Sequence, residues 1–178
     1  MPRLKTVTPD QASGDVKEIY DDLKQKKGKV FNIFQGMGNS AAALNAYLSM
    51  NGALAKGELS PEDREVVYLT VSQTNGCHYC LSAHTMVARG AGMSEDQILS
   101  IRKMSPQSEK HAALGKFITR VMETKGFVDD ADVKAVKDAG YTDGQIAESI
   151  AFIGLATYSN LFNHVYGTEL DFPSAEKV

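Results

Sequence analysis

Hydrophobic residues recur every three or four positions along most of this chain, which is the spacing of amphipathic α-helices. A clear example is the stripe of Val16, Ile19, Tyr20 and Leu23, which ends near Gly28. Further predicted helices begin at or just after Ser40, Ser60, Cys77, Ser94, Ser105-Pro106, Asp130 and Thr142. The pattern therefore predicts an all-α fold with eight helices.

One segment, residues 66–71, has the β-branched and aromatic composition of a strand. It follows residues 60–63, Ser-Pro-Glu-Asp, which combine an N-cap hydroxyl, a proline at the first helical position and acids in the first turn. We therefore predict a helix there. Residues 168–178 contain Pro173 and several charges and are expected to be extended. Because no low-complexity linker divides the chain, residues 1–178 are expected to form a single domain.

Charge and hydropathy narrow the possible partners. The 178 residues carry a formal net charge of −3, without the basic cluster that nucleic-acid binding requires. No apolar signal segment opens the chain, and the longest nearly uncharged apolar stretch, residues 150–158, is far shorter than the ~20 residues of a membrane-spanning helix. The sequence thus predicts a cytoplasmic protein with no nucleic-acid or membrane partner.

The candidate chemistry lies in the two cysteines, Cys77 and Cys80, and in His84. Residues three, four and seven apart share one helix face, so all three are expected on one edge of the predicted fourth helix. Side chains three apart lie ~5–6 Å from each other, within reach of a disulfide. The helix N-terminus stabilises a thiolate and lowers its pKa. In a reducing compartment, such a pair is more often catalytic or metal-binding than structural.

Glu65 is a candidate partner for this site because it precedes Cys77 by twelve residues, on the preceding predicted helix. If the two helices pack antiparallel through the Asn75-Gly76 turn, the Glu65 carboxylate reaches the His84 end of the site. A carboxylate there would orient the imidazole and hold its proton.

The other histidines and Tyr79 are assigned lesser roles. His78 is expected to be exposed or a modest modulator, and Tyr79 a packing residue that shields one sulfur. His111 has no partner nearby in the sequence and is expected to face solvent. His164 is expected to be structural, either capping carbonyls or lining a pocket together with neighbouring asparagines.

The motif Glu65…Cys77-x-x-Cys80-x-x-x-His84 resembles the signature of the alkylhydroperoxidase D (AhpD)-like proteins, within the carboxymuconolactone decarboxylase superfamily. The resemblance is most specific over residues 59–92 and is greatest to the peroxidase-related branch. It implies an AhpD-like helical bundle with the Cys-x-x-Cys at the start of a central helix. It also implies assembly into homo-oligomers, either trimers or hexamers.

The resemblance further implies a division of roles. Cys80 would attack the peroxide and become a sulfenic acid, and Cys77 would condense with it to form the redox-active disulfide. Glu65 and His84 match the positions of a proton relay. One departure is that well-studied members carry a histidine where this chain has Tyr79, whereas the histidine here is His78.

Two electrostatic arguments disagree on which thiol is the nucleophile. Proximity to the helix dipole favours a thiolate at Cys77. His84 lies one turn from Cys80 and favours the second cysteine, which is also the choice that the resemblance implies. We therefore predict that Cys80 is the nucleophile.

The leading prediction is an antioxidant oxidoreductase, a thiol-dependent peroxidase of the alkyl hydroperoxide reductase type. No flavin, haem or nucleotide motif is visible, so no cofactor is predicted. The resemblance implies that electrons come from an external thiol or a lipoyl or thioredoxin-type donor. Three alternatives stay open: a disulfide reductase or adaptor that relays electrons to a peroxiredoxin, a cysteine-independent decarboxylase-like lyase, and a zinc site built from Cys77, Cys80, His84 and Glu65.

Overall fold

The computed structural model describes residues 1–178 and contains nine α-helices and no strand. In chain order they are α1 (Gly14–Lys27), α2 (Asn32–Met37), α3 (Ala41–Leu54), α4 (Pro61–Thr74), α5 (His78–Gly90), α6 (Glu95–Arg102), α7 (Glu109–Thr124), α8 (Asp130–Asp138) and α9 (Asp143–Tyr166). The predicted all-α fold is confirmed. None of these helices combines the length and the apolar character needed to cross a membrane.

Side-chain capping accounts for most of the helix starts. The hydroxyls of Ser40, Ser60, Ser94, Ser108 and Thr142 each accept a hydrogen bond from the backbone N–H three residues later. Each bond satisfies one of the N–H groups that have no partner within the helix. These caps explain why the helix boundaries largely follow the sequence signals.

Helix α4 forms the centre of the molecule and packs against α5, α7 and α9. Its residues from Glu65 to Ser72 are all buried, and Val66, Val67, Leu69 and Val71 belong to the larger hydrophobic core. Burial on every side explains why this helix has the nearly continuous apolar composition of a strand. The Ser60 cap and Pro61 determine its helical conformation.

Two details of the predicted helices were wrong. The short helix α2 was not predicted, and α7 begins at Glu109 with Ser108 as its N-cap rather than directly after Ser105-Pro106. The N-cap of α2 is Phe31, which offers no side-chain oxygen to the free N–H groups. Burial of its apolar residues in the core therefore stabilises α2, and local sequence does not reveal that burial.

A second, smaller hydrophobic cluster contains the two cysteines. Its members are Tyr20, Leu23, Val30, Ile33, Phe34, Met37, Leu44, Cys77, Tyr79 and Cys80. The N-terminal helices α1 to α3 thus form one wall around the start of α5. This packing excludes bulk water from both sulfurs, and any chemistry at the thiols takes place in an apolar setting.

Candidate active site

The turn between α4 and α5 positions the first cysteine. Gly76 has a φ of 66°, a left-handed conformation that favours glycine, and it follows Asn75 at the C-terminal end of α4. Cys77 is the N-cap of α5, and its Sγ lies 3.4 Å from the backbone N of Cys80. Both cysteines are therefore at the positive end of the helix, with Cys77 just outside it rather than in its first turn.

Both thiols are free and buried, and Asn163 of α9 contacts both. The Asn163 Nδ2 is 3.1 Å from the Cys80 Sγ and 3.9 Å from the Cys77 Sγ. Its Oδ1 accepts a 2.6 Å hydrogen bond from the Thr168 Oγ1, so the amide is oriented with its nitrogen toward the sulfurs. The sequence signal for this contact was only the cluster of asparagines near His164, on a helix more than 80 residues away.

The two thiols differ in acidity. A hydrogen bond from the Cys77 thiol lowers the pKa of Cys80 from 9.0 to about 7, and the charge of His84 and the Asn163 amide act in the same direction against burial. The same bond raises the pKa of Cys77, because Cys77 keeps the shared proton, and burial raises it further. Cys80 is therefore the more acidic thiol of the pair.

The structure brings Glu65 and His84 together. The Glu65 Oε2 lies 2.8 Å from the His84 Nδ1, and both side chains are mostly buried. Burial lowers the pKa of His84, but the Glu65 carboxylate and the Cys80 thiolate outweigh it, so the net shift is upward. Tyr68 stacks on the imidazole with its ring centroid 3.9 Å away. The imidazole is thus held in one orientation between Glu65 and Tyr68.

Cys80, Glu65 and His84 line a cavity of about 370 Å³. Seven aromatic side chains contribute to its walls: Phe31, Phe34, Tyr47, Tyr68, Tyr79, Phe152 and Phe172. Cys77 is not among the lining residues. A small molecule in the cavity can therefore reach the Cys80 thiolate, whereas the Cys77 thiol lies behind it.

Tyr79 packs beside the cysteines and is held by the C-terminal tail. Its hydroxyl donates a 2.6 Å hydrogen bond to the Asp171 Oδ2, and the Phe172 ring packs edge-on against it. His78 is exposed, and its Nε2 lies 3.0 Å from the Ser174 Oγ. Both residues between the two cysteines thus contact the tail, and neither forms a hydrogen bond with the Glu65–His84 pair.

The remaining histidines lie outside the site. His111 was predicted to face solvent, and this prediction was wrong: its side chain is 13% exposed, and its Nε2 lies 3.5 Å from the buried Asp63 Oδ1. His164 is exposed, and its carbonyl accepts a hydrogen bond from Arg3. No group of three or more His, Cys, Asp or Glu side chains is arranged to hold a metal ion.

Comparisons with known proteins identify the region around the site. Residues 41–105 match the carboxymuconolactone decarboxylase family. The chain is 37% identical to alkyl hydroperoxide reductase AhpD of Acidobacterium capsulatum over 73 residues. These residues are 40% of this chain and 39% of that protein. It is 45% identical over 53 residues to the AhpD of Anaeromyxobacter dehalogenans, 30% of this chain and 28% of that protein. The matched segments therefore span less than half the length of these curated relatives.

Solved structures extend the similarity to nearly the whole fold. An alkylhydroperoxidase AhpD core, a peroxidase-related protein of Ralstonia eutropha JMP134, superposes with a TM-score of 0.86 at 20% identity, covering 96% of this chain and 92% of that one. A single-residue variant of the debrominase Bmp8, in complex with 2,3,4-tribromopyrrole, superposes with a TM-score of 0.77 at 16% identity, covering 96% of this chain and 94% of that one. The predicted resemblance to AhpD-like proteins is thus confirmed, by the match of residues 41–105 to the carboxymuconolactone decarboxylase family and by a fold shared over nearly the whole chain.

Proposed function

We propose that this protein is a thiol-dependent hydroperoxide reductase in which Cys80 is the nucleophile and Cys77 the resolving thiol. The observation that carries the proposal is the unequal acidity of the two thiols at the wall of a mostly apolar cavity. The pKa of Cys80 is lowered to about 7, so about half of it is thiolate at pH 7, and it faces the cavity. The relatives named alkyl hydroperoxide reductase AhpD favour a peroxide as the oxidant.

The first step is attack of the Cys80 thiolate on the distal oxygen of the hydroperoxide. The O–O bond breaks, Cys80 becomes a sulfenic acid, and the alcohol leaves after taking a proton from the His84 imidazolium. The Glu65 carboxylate, 2.8 Å from the His84 Nδ1, stabilises the imidazolium before transfer and reorients it afterwards. Because the leaving alkoxide is a strong base, this proton is essential to the rate.

The second step joins the two sulfurs. The Cys77 sulfur attacks the Cys80 sulfenic sulfur, the S–O bond breaks, and the hydroxyl of the sulfenic acid leaves as water with the proton of the Cys77 thiol, which His84 can carry to it. One hydroperoxide and two thiols thus yield an alcohol, water and a disulfide. An external dithiol must then reduce the disulfide, and a thiol, lipoyl or thioredoxin-type donor fits this need. We propose that the cycle runs within a single domain of residues 1–178 in a homo-oligomer.

A second candidate function is reductive dehalogenation of an aromatic ring. The seven aromatic side chains of the cavity favour it, as does the fold shared with a debrominase. The same dithiol would supply two electrons, converting a carbon–bromine bond to carbon–hydrogen and releasing bromide. Incubation with 2,3,4-tribromopyrrole and dithiothreitol, with bromide measured by ion chromatography, distinguishes this reaction from peroxide reduction.

Peroxidase turnover tests the proposal directly. With dithiothreitol as reductant and cumene hydroperoxide as substrate, we expect wild type to turn over and Cys80→Ser to be inactive. We expect His84→Gln to lower kcat/KM about 100-fold, since a positioned general acid contributes this much or more. His164→Gln, which removes an exposed imidazole outside the site, serves as the matched control and keeps the wild-type rate.

Three results would contradict the proposal. Turnover by the Cys77→Ser, Cys80→Ser double variant would show that the cysteines are dispensable, as in a decarboxylase-like lyase. Reduction of a protein disulfide without any peroxide consumption would identify an adaptor that serves a peroxiredoxin. Stoichiometric zinc in the purified, untagged protein, released only on loss of Cys80, would identify a metal site.

A further inference from the structure

The cavity is far larger than the smallest peroxide requires. It measures about 370 Å³, whereas one water molecule takes up about 30 Å³ in the liquid, and hydrogen peroxide is only slightly larger than water. The volume lies within the range of about 300–1,000 Å³ typical of sites for small organic ligands. The aromatic walls match a ligand with an apolar body.

The charges around the cavity are not balanced. Glu65 is the only carboxylate among the lining residues, and it is already engaged by His84. Two cations also line the cavity, Lys27 and Arg64, and neither forms an ion pair within the protein. With the Glu65–His84 pair balanced and Cys80 ionised, Lys27 and Arg64 leave an excess of one positive charge in a mostly apolar setting, which favours an anionic group on the ligand.

Of the two cations, Arg64 is held in place. It is partly buried, its Nη1 donates to the Ala55 carbonyl at 3.1 Å and its Nε to the Ser60 carbonyl at 3.4 Å. The Nη2 makes no hydrogen bond and is left to bind a ligand. Lys27 is exposed and forms no hydrogen bond that would fix its ammonium. An ordered guanidinium binds an anion with less loss of conformational entropy than a mobile lysine does.

Arg64 also has a defined position relative to the reacting sulfur. It precedes Tyr68 by one turn of α4, and the Tyr68 ring stacks on His84. His84 in turn follows Cys80 by one turn of α5. All four residues line the same cavity, so a ligand bound there can contact both Cys80 and Arg64.

We propose that the substrate is an organic hydroperoxide whose apolar body carries a carboxylate, and that Arg64 binds this carboxylate while the peroxide meets Cys80. This inference rests on the proposed peroxidase function and adds the class of substrate. Arg64 is a specificity-determining residue that contacts the substrate away from the reacting atoms. Its effect is therefore expected in discrimination between substrates rather than in the chemical step.

The test compares the para-carboxylate derivative of cumene hydroperoxide with its neutral methyl ester. In wild type we expect kcat/KM about tenfold higher for the acid, equivalent to about 1.4 kcal/mol. In Arg64→Gln the acid-to-ester ratio of kcat/KM should fall to about one. In Arg64→Lys much of the preference for the acid should remain. Because each ratio is taken within one protein, a general loss of activity or stability does not affect it.

Lys27→Gln removes the other cation of the same cavity and serves as the matched comparison. We expect it to keep the wild-type ratio. A ratio that collapses in Lys27→Gln and survives in Arg64→Gln would overturn the assignment to Arg64. A wild-type ratio of one would overturn the carboxylate-bearing substrate.

A binding arm separates this inference from the peroxidase proposal. The alcohol that corresponds to the para-carboxylate hydroperoxide has no peroxide bond and cannot be reduced. Its binding to wild type and to Arg64→Gln is measured by titration calorimetry. If no hydroperoxide is turned over but this alcohol binds about tenfold more weakly to Arg64→Gln than to wild type, the peroxidase proposal fails and the anion site stands. If cumene hydroperoxide is turned over and Arg64 affects neither binding nor the ratio, only the inference fails.

Discussion

At the scale of single residues, the roles that we propose for the two cysteines depend on the difference between their pKa values. Both sulfurs lie at the positive end of α5, so the helix dipole alone does not distinguish them. The neighbouring Cys77 side chain and the charge of His84 both lower the pKa of Cys80. These neighbours, rather than distance to the helix end, decide which thiol ionises first.

The first prediction concerns the pH dependence of thiol reactivity. Alkylation of Cys80 by iodoacetamide should rise with a midpoint near pH 7, because the pKa of Cys80 is lowered to about 7. Cys77, whose pKa is raised, should stay largely unmodified below pH 9. Peptide mass spectrometry after quenching at each pH measures both residues in one sample.

Glu65→Gln tests the cause of this shift. Without the carboxylate, burial favours neutral His84, and Cys80 loses a neighbouring positive charge. The midpoint of Cys80 alkylation should then rise by about one pH unit. Faster alkylation of Cys77 than of Cys80 in wild type would contradict the assignment.

At the scale of secondary-structure elements, local signals predicted most of the helices because most have their own caps. Ser60 and Thr142, for example, satisfy backbone groups three residues away, and such short-range chemistry is visible in the sequence. Helix α2 has only six residues and no side-chain cap, so it depends on burial of Phe34 and its neighbours. That packing depends on residues far along the chain.

The candidate site likewise contains residues that the local sequence predicted and residues that it did not. The positions of Cys77, Cys80 and His84 follow from helical spacing, and Glu65 follows from the short turn between two helices. Asn163 was not assigned to the sulfurs, because no local pattern links it to a cysteine more than 80 residues earlier. The wrong prediction for His111 has the same origin, since its partner Asp63 lies on another helix.

The second prediction addresses the turn that brings α4 and α5 together. Gly76→Ala should lower the free energy of unfolding by about 1 kcal/mol, because an L-residue is disfavoured at a φ of 66°. Nothing lies within 4 Å of the added methyl group, so the cost is in the backbone alone.

Gly52→Ala provides the matched control. Gly52 lies inside α3 with open space around it, and alanine favours the helix by about 1 kcal/mol. Urea denaturation should thus show opposite signs for the two substitutions. Equal changes in the free energy of unfolding would indicate that the Gly76 conformation does not constrain the turn between α4 and α5.

The third prediction concerns the buried carboxylate of Asp63, which joins α4 to α7 and to the loop before α9. It accepts hydrogen bonds from Tyr141 at 2.6 Å and Ser60 at 2.8 Å, and His111 and Lys110 lie nearby. Burial raises its pKa, but these partners outweigh it and hold the pKa well below 3.8. Asp63→Asn should lower the free energy of unfolding at pH 7 by about 2 kcal/mol.

The stability that the Asp63 carboxylate contributes also depends on pH. A carboxylate with a lowered pKa in the folded state adds stability above pH 3.8 and loses it as the pH falls toward the folded value. The gap between wild type and Asp63→Asn should be constant from pH 7 to 5 and shrink below about pH 4. Tyr141→Phe, which removes a single hydrogen bond, should cost about 1 kcal/mol. A difference in stability between wild type and Asp63→Asn that increases below pH 4 would contradict the stabilising role of the Asp63 carboxylate.

At the scale of the whole molecule, the C-terminal tail closes the site. Asp171 accepts hydrogen bonds from the Tyr79 hydroxyl and, at 2.8 Å, from the backbone N–H of Asn32 at the start of α2. Ala175 donates to Ser82 of α5, and Phe172 lines the cavity. The tail thus joins the N-terminal helices to the helix that carries the cysteines.

The fourth prediction is that this connection depends on Asp171. Asp171→Ala removes the acceptor for both Tyr79 and Asn32, so the tail and the start of α2 should open more often. Hydrogen exchange measured by mass spectrometry should be at least tenfold faster in both segments, while α7 is unchanged. Unaltered exchange at α2 would mean that Asp171 does not join the two segments.

The central claim is that Cys80 receives the peroxide oxygen and Cys77 resolves it, and intact-mass analysis after one equivalent of cumene hydroperoxide tests this most directly. Wild type should lose two hydrogens as the disulfide forms. Cys77→Ser should retain one oxygen on Cys80, trapped by dimedone, and Cys80→Ser should stay unmodified. An oxygen or dimedone adduct on Cys77 in the Cys80→Ser protein would contradict the assignment of roles.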